Sequence, residues 1–125
     1  MIRVAIFEDN NALRDSMSGL IEATPGYIFT SAYPDAKRIG PRIRESKPDV
    51  VLMDINMPGI SGIEAVAELK KEFPTVQVLM QTVFDEDDKI FASICAGASG
   101  YILKNTPPTR LLEAIQEVYE GGAAF

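Results

Sequence analysis

The sequence has 125 residues, contains no histidine and has one cysteine, Cys95. Without an imidazole the chain cannot build a histidine-based triad, loses most zinc-site chemistry and cannot itself carry phosphohistidine. A lone thiol closes no internal disulfide, so a reducing, cytoplasmic setting is expected. No stretch of about 18 apolar residues occurs, which leaves no membrane-span candidate. The opening Met1-Ile2-Arg3-Val4 runs into an apolar segment without the basic flank and small-residue cleavage site of a secretory leader, so none is expected. Basic residues are also scarce, 12 against 18 acidic for a net charge of −6, which argues against this segment gripping nucleic acid through its phosphates.

What is present points to one folded domain. Hydrophobic residues make up 46% of the chain, too many for disorder. A chain of this size buries roughly 68–70% of its unfolded surface in a single core. Short apolar runs alternate with amphipathic stretches, a strand-then-helix pattern repeated five times. The expected strands are Ile2 to Phe7, Tyr27 to Tyr33, Val50 to Met53, Val76 to Met80 and Tyr101 to Leu103.

The first helix opens near Asn10 or Asn11, with Leu13, Met17, Leu20 and Ile21 on one face. A second spans about 35–46, kinked or shortened by Gly40-Pro41. The third runs from about Gly62 to Phe73 with Ile63, Val66, Ala67 and Phe73 inward, and Pro74 stops it. The fourth follows the acidic run Asp85-Glu86-Asp87-Asp88, read as a solvated helix start, and carries Ile90, Phe91, Ile94 and Cys95 as its apolar stripe. Cys95 is accordingly expected in the core. The fifth begins at Pro108 and runs to Glu120, with Leu111, Leu112, Ile115, Val118 and Tyr119 inward.

Sequential right-handed crossovers make this a doubly wound α/β fold, a five-stranded parallel sheet with helices on both faces. With the second strand outermost beside the first, the strand order is 2-1-3-4-5, the flavodoxin-like order. Ligands of such sheets bind beyond the carboxyl ends of the strands. There the apolar runs end in Glu8-Asp9, Asp54, Thr82 and Lys104. Crowded carboxylates repel and raise one another's pKa unless a cation joins them. All-oxygen ligation suits Mg²⁺, which favours phosphate as a co-ligand. A hydroxyl and an ammonium beside it complete a cage for a phosphoryl group, so the expected chemistry is phosphoryl transfer.

Three segments carry a family resemblance: Val4-Ala5-Ile6-Phe7-Glu8-Asp9, Asp49 to Pro58 around Asp54, and Ala96-Gly97-Ala98-Ser99-Gly100-Tyr101-Ile102-Leu103-Lys104. The chain resembles, over its whole length, the receiver domain of bacterial two-component response regulators of the LuxR/NarL-type subfamily. The resemblance implies that Asp54 is the phosphoacceptor, attacking a phosphohistidine on a partner sensor histidine kinase. It implies Mg²⁺ held by Asp9, Asp54 and the backbone carbonyl of Asn56, with Glu8 nearby or acting through water. Thr82 would hydrogen-bond the phosphoryl group, Lys104 would pair with it, and Tyr101 would be the aromatic that swings inward with Thr82. That switch would remodel the surface of the fourth helix, fifth strand and fifth helix.

Asn56, Val83 and Phe84 occupy positions that in the family tune phosphorylation and hydrolysis rates. Val83 is bulkier than the family's usual small residue, and Asn105 stands where many receivers have proline. Gly121-Gly122-Ala123-Ala124-Phe125 resembles the start of a linker, so residues 1–125 are expected to be a receiver cut from a longer regulator with a C-terminal helix-turn-helix domain. DNA would be met only through that domain, transcription would be the output, and phosphorylation could drive a homodimer; no membrane partner is expected. A free-standing receiver is the alternative. A haloacid dehalogenase-type phosphatase would need a second aspartate where Asn56 stands, and a flavin module would need a Ser/Thr/Gly-rich loop where Glu8-Asp9-Asn10-Asn11 stands. The resemblance implies a signalling protein that would catalyse its own phosphorylation and dephosphorylation on Asp54, and no enzyme acting on a separate substrate is expected.

Overall fold

The computed structural model describes residues 1–83 and 87–124. Strands β1 (Ile2–Phe7), β2 (Tyr27–Tyr33), β3 (Val50–Asp54), β4 (Gln77–Thr82) and β5 (Gly100–Leu103) alternate with helices α1 (Asn11–Ala23), α2 (Ile39–Ser46), α3 (Gly62–Glu72), α4 (Asp87–Ala96) and α5 (Pro108–Tyr119). All strands pair in parallel, in the order β2-β1-β3-β4-β5. The doubly wound, flavodoxin-like fold expected from the alternation is the fold observed.

Period-2 alternation along the central strands builds two separate cores. Val4, Ile6, Leu52 and Leu79 face α1 and α5, meeting Met17, Ile21, Leu111 and Ile115. Ala5, Phe7, Val51, Met53, Val78 and Met80 face the other way and meet Ile39 and Ile43 of α2 and Val66 and Leu69 of α3. β3 is buried at every residue, as a central strand covered on both faces must be. Asn10 caps α1 by accepting from the Leu13 amide at 2.9 Å, and Ser61 caps α3 by accepting from the Glu64 amide at 3.2 Å. α5 starts with Pro108 at its first helical position and Pro107 as a cap without a side-chain hydrogen bond, as its two prolines imply.

Several boundaries and faces differ from the sequence expectation. α2 starts at Ile39, not near residue 35, so it is shortened, one of the two effects expected of Gly40-Pro41, and Pro41 falls in the first turn where its missing N–H costs nothing. β4 extends to Thr82 and so takes in Gln81. In α3 the buried stripe is Ala65, Val66 and Leu69, and Ala67 is only half-buried. In α4 the expected stripe is wrong: Ile90 is buried with Ser93, while Phe91, Ile94 and Cys95 are exposed. Ser93 tolerates burial because its hydroxyl donates to the Lys89 carbonyl at 2.8 Å. In α5, Ala114 takes the inward place and Tyr119 is exposed. The start of the acidic run, Asp85 and Glu86, lies outside the described residues, as does Phe84.

Candidate functional site

The parallel pairing brings the carboxyl ends of β1, β3, β4 and β5 to one edge of the sheet. Glu8, following β1, and Asp54, the last residue of β3, have no solvent exposure, whereas Asp9 is exposed. Carboxylate oxygens of Glu8, Asp9 and Asp54 lie within 4.8 Å of one another. Lys104, following β5, inserts its Nζ among them, 2.9 Å from Asp54 Oδ2 and 3.0 Å from Glu8 Oε1. It donates to Glu8 Oε2 at 3.1 Å.

Backbone groups fix these side chains. The Asn10 amide donates to Glu8 Oε2 at 3.0 Å, and Arg14 Nη1 donates to the Glu8 carbonyl at 2.9 Å. The Asn56 amide donates to Asp54 Oδ1 at 3.1 Å. Gly62 holds the loop after β3 against the strand end: a Cβ there would sit 2.0 Å from the Asp54 carbonyl oxygen. Only a residue without a side chain fits this approach. The Lys104 amide donates to the Thr82 carbonyl at 2.8 Å, tying the ends of β4 and β5 together.

The electrostatics follow from burial. Desolvation drives Asp54 upward from its ordinary value, Lys104 partly counters this, and Asp9 and Glu8 add to it, leaving Asp54 at about 7. Asp9 is pushed up by burial, but its hydrogen bonds with Asp54 and Glu8 and the charge of Lys104 outweigh that and leave it low. Burial alone would depress Lys104, yet Asp54 and Glu8 hold it above the ordinary lysine value.

One ammonium cannot satisfy this much negative charge. Glu8 Oε1 and Asp54 Oδ2 are buried without a hydrogen bond among the described residues, although each lies within ion-pair distance of Lys104. Hard, anionic oxygens with free lone pairs fit a hard divalent cation, so the acidic cluster could hold one.

The remaining expected residues divide. Thr82 is fully buried at the end of β4. Tyr101 is half-buried on β5, packed against the core shared with α2 and α3. Val83 is exposed, and Phe84 lies outside the described residues. Asn56 is exposed, and its Oδ1 accepts from Lys89 Nζ at 3.0 Å. Sequence reasoning does not single out Lys89, because its reach depends on how α4 sits beside the loop after β3.

A family model described as the response regulator receiver domain matches residues 4–116. The chain is 36% identical over 124 residues to the uncharacterized transcriptional regulatory protein YxjL of Bacillus subtilis, covering 99% of this chain and 57% of that protein. It is 35% identical over 121 residues to the oxygen regulatory protein NreC of Staphylococcus aureus, covering 96% and 56%. The chain thus spans little more than half the length of these curated relatives. Among solved structures it is similar to a LuxR-family two-component response regulator from Aurantimonas sp. SI85-9A1, with a TM-score of 0.93 and 31% identity over 100% of this chain and 89% of that one. It is also similar to a LuxR-family DNA-binding response regulator from Staphylococcus aureus, with a TM-score of 0.87 and 28% identity over 95% and 99%.

Proposed function

The chain belongs to the response regulator receiver domain family, and from that premise we propose that it receives a phosphoryl group on Asp54 from the phosphohistidine of a sensor histidine kinase. The observation that carries this reading is the buried Asp54 carboxylate held 2.9 Å from Lys104 and beside Glu8 and Asp9 at one strand edge. In the ionised state an Asp54 oxygen attacks phosphorus, the P–N bond to the donor imidazole breaks with its electron pair left on nitrogen, and an acyl phosphate forms. The chain has no histidine, so the donor imidazole comes from the partner.

Glu8, Asp9, Asp54 and the Asn56 carbonyl are the residues assigned to Mg²⁺. Bound there, the ion would supply the positive charge that lets Asp54 ionise and the phosphoryl oxygens approach. Lys104 is placed to exchange its contact with the Asp54 carboxylate for one with the transferred phosphoryl group, and Thr82 donates its hydroxyl to the same group. Movement of Thr82 frees room for Tyr101 to turn inward and changes the surface made by α4, β5 and α5. Asn56, Val83 and Phe84 tune how readily water attacks the phosphate. On this reading a C-terminal DNA-binding domain beyond residue 125 converts the switch into transcriptional control, in keeping with the longer regulatory relatives, and phosphorylation favours a homodimer.

Incubation with Mg²⁺ and acetyl phosphate followed by intact-mass spectrometry tests the assignment. A single phosphate adduct is expected, and it should be absent in Asp54→Asn. An adduct retained by that variant would overturn Asp54 as the acceptor.

A further inference from the structure

The loop after β3 has a pinned backbone and one side chain whose position is set from another element. Ile55, 1% exposed, and Met57, 9% exposed, pack into the core shared with α2 and α3. The Ile55 amide donates to the Gln81 carbonyl at 3.1 Å, and the Ile55 carbonyl accepts from the Gly62 amide at 2.8 Å. Between these two anchors stands exposed Asn56, its amide on Asp54 Oδ1 at 3.1 Å. Among the described residues its side chain has one partner, Lys89 Nζ, which donates to Oδ1 at 3.0 Å.

Lys89 does not occupy the place of an ordinary solvated lysine. It is half-buried, one turn before Ser93 on the packed side of α4 and next to Ile90. It also lies in the first turn, at the positive end of the helix dipole, where a cation is disfavoured. From there its ammonium crosses to a loop 33 residues away in sequence. An ammonium donates and never accepts, so the Asn56 atom it holds is the carbonyl oxygen, and the amide is fixed in one of its two flips.

That orientation bears on how phosphorylated Asp54 is lost. In hydrolysis a water oxygen bonds to phosphorus while the bond to the Asp54 oxygen breaks with its electron pair left on the carboxylate, and the water's surplus proton passes to solvent. An amide oxygen able to swing over the acyl phosphate would accept a hydrogen bond from that water and orient it. The charge-assisted bond from Lys89 competes with water for this oxygen and keeps it at α4.

We propose that Lys89 is a positioning residue that lengthens the life of phosphorylated Asp54 by holding the Asn56 side-chain oxygen away from the attacking water. The inference rests on the Asp54 reading above and adds α4 to it, since the Lys89 bond to Asn56 and the Asn56 amide bond to Asp54 join that helix to the phosphoacceptor.

Loading the 125-residue chain with acetyl phosphate and Mg²⁺, desalting it and following decay of the adduct by intact-mass spectrometry tests this. Lys89→Met keeps the stem and deletes the donors, and it should shorten the half-life about 3- to 10-fold, the range open to one partly solvated hydrogen bond. Lys89→Arg still donates and should keep most of the parental half-life. In an Asn56→Ala background Lys89→Met should change nothing, because the contact acts only through that side chain. An unchanged or longer half-life in Lys89→Met would overturn the proposal. So would an effect that persists in Asn56→Ala, which would assign it to the lysine's charge alone, or equal shortening in Lys89→Arg and Lys89→Met, which would assign it to a loosened α4. A parent chain that takes up no phosphate fails the Asp54 reading and this inference with it, whereas a parent adduct whose decay ignores Lys89 fails this inference alone.

Discussion

Replacing Lys104 by methionine keeps the length and apolar stem of the side chain and deletes the charge that Glu8 and Asp54 share. At 2.9 Å an ion pair in an effective dielectric near 20 has a gross Coulomb attraction of about 6 kcal/mol, most of it offset by the desolvation of both groups. Breaking a buried pair by removing one partner costs roughly 3–5 kcal/mol when the other stays charged. Asp54 already titrates at about 7, so at pH 6 it is mostly protonated with or without Lys104. At that pH a destabilisation of about 3 kcal/mol is expected from the buried carboxylate cluster left without its ammonium.

Above pH 7 the two proteins diverge, and the sign follows from linkage. Because the folded value of Asp54 is raised from 3.8 to about 7, its contribution to stability is greatest below pH 4. That contribution is lost as pH rises through the interval and is constant above it. Without Lys104 the folded value rises further, so the variant goes on losing about 1.4 kcal/mol per pH unit above 7 while the unmodified protein does not. Urea unfolding at pH 6, 7 and 8 should therefore give curves that separate with pH, and in an Asp54→Asn background the separation should disappear. Parallel stability curves, or a separation that persists in Asp54→Asn, would refute the shared-charge account.

Divalent metal should act in the opposite sense. If Mg²⁺ binds only the folded cluster, a concentration 100-fold above its dissociation constant adds about 2.7 kcal/mol, or roughly ten degrees in melting temperature for a domain of this size. Its apparent affinity should rise about fivefold from pH 6 to pH 7 as Asp54 gives up its proton, and less than about twofold further above pH 7; equal melting curves with and without Mg²⁺, or a pH-independent affinity, would count against the site. Gly62→Ala should destabilise the fold by at least about 3 kcal/mol, because its Cβ would meet the Asp54 carbonyl at 2.0 Å; an alanine variant that melts like the parent would show that the loop yields freely.

How much of this was legible in the sequence depends on the distance over which each signal acts. The strands, their order and the polar residue ending each central strand follow from local apolar runs and the handedness of crossovers, and these place Glu8, Asp9, Asp54, Thr82 and Lys104 at one edge. Helix faces were less legible where the stripe is ambiguous. Residues 90, 91, 94 and 95 form an apolar stripe at good helical spacing, but α4 buries Ile90 with Ser93 and leaves Phe91 and Cys95 in solvent. Ser93 reads as polar in a hydropathy pattern, yet its hydroxyl is satisfied within its own helix and so carries little penalty on burial. The Lys89 to Asn56 hydrogen bond is likewise invisible to periodicity, since it joins a helix to a loop through a long flexible side chain.

Gln81 marks the point where the local reading could have gone further. A strand that ends in a buried functional threonine must turn the preceding side chain to the opposite face, and on β4 that face belongs to the α1/α5 core. A glutamine at such a step is a conflict between pattern and position, because its side-chain oxygen is buried without a hydrogen bond among the described residues, where an apolar residue would pack at no such cost. Extending β4 by the two residues beyond Met80 makes the conflict visible, and ending it at Met80 hides it. The net charge of −6 shows the complementary limit of composition. A sum over the chain gives Glu8 and a surface glutamate the same weight, whereas burial gives Glu8 and Asp54 a share of Lys104 and leaves one oxygen of each without a hydrogen bond among the described residues. Three carboxylates out of all the acidic residues, Glu8, Asp9 and Asp54, thus form the cluster that could hold a cation, and the rest set only the long-range field.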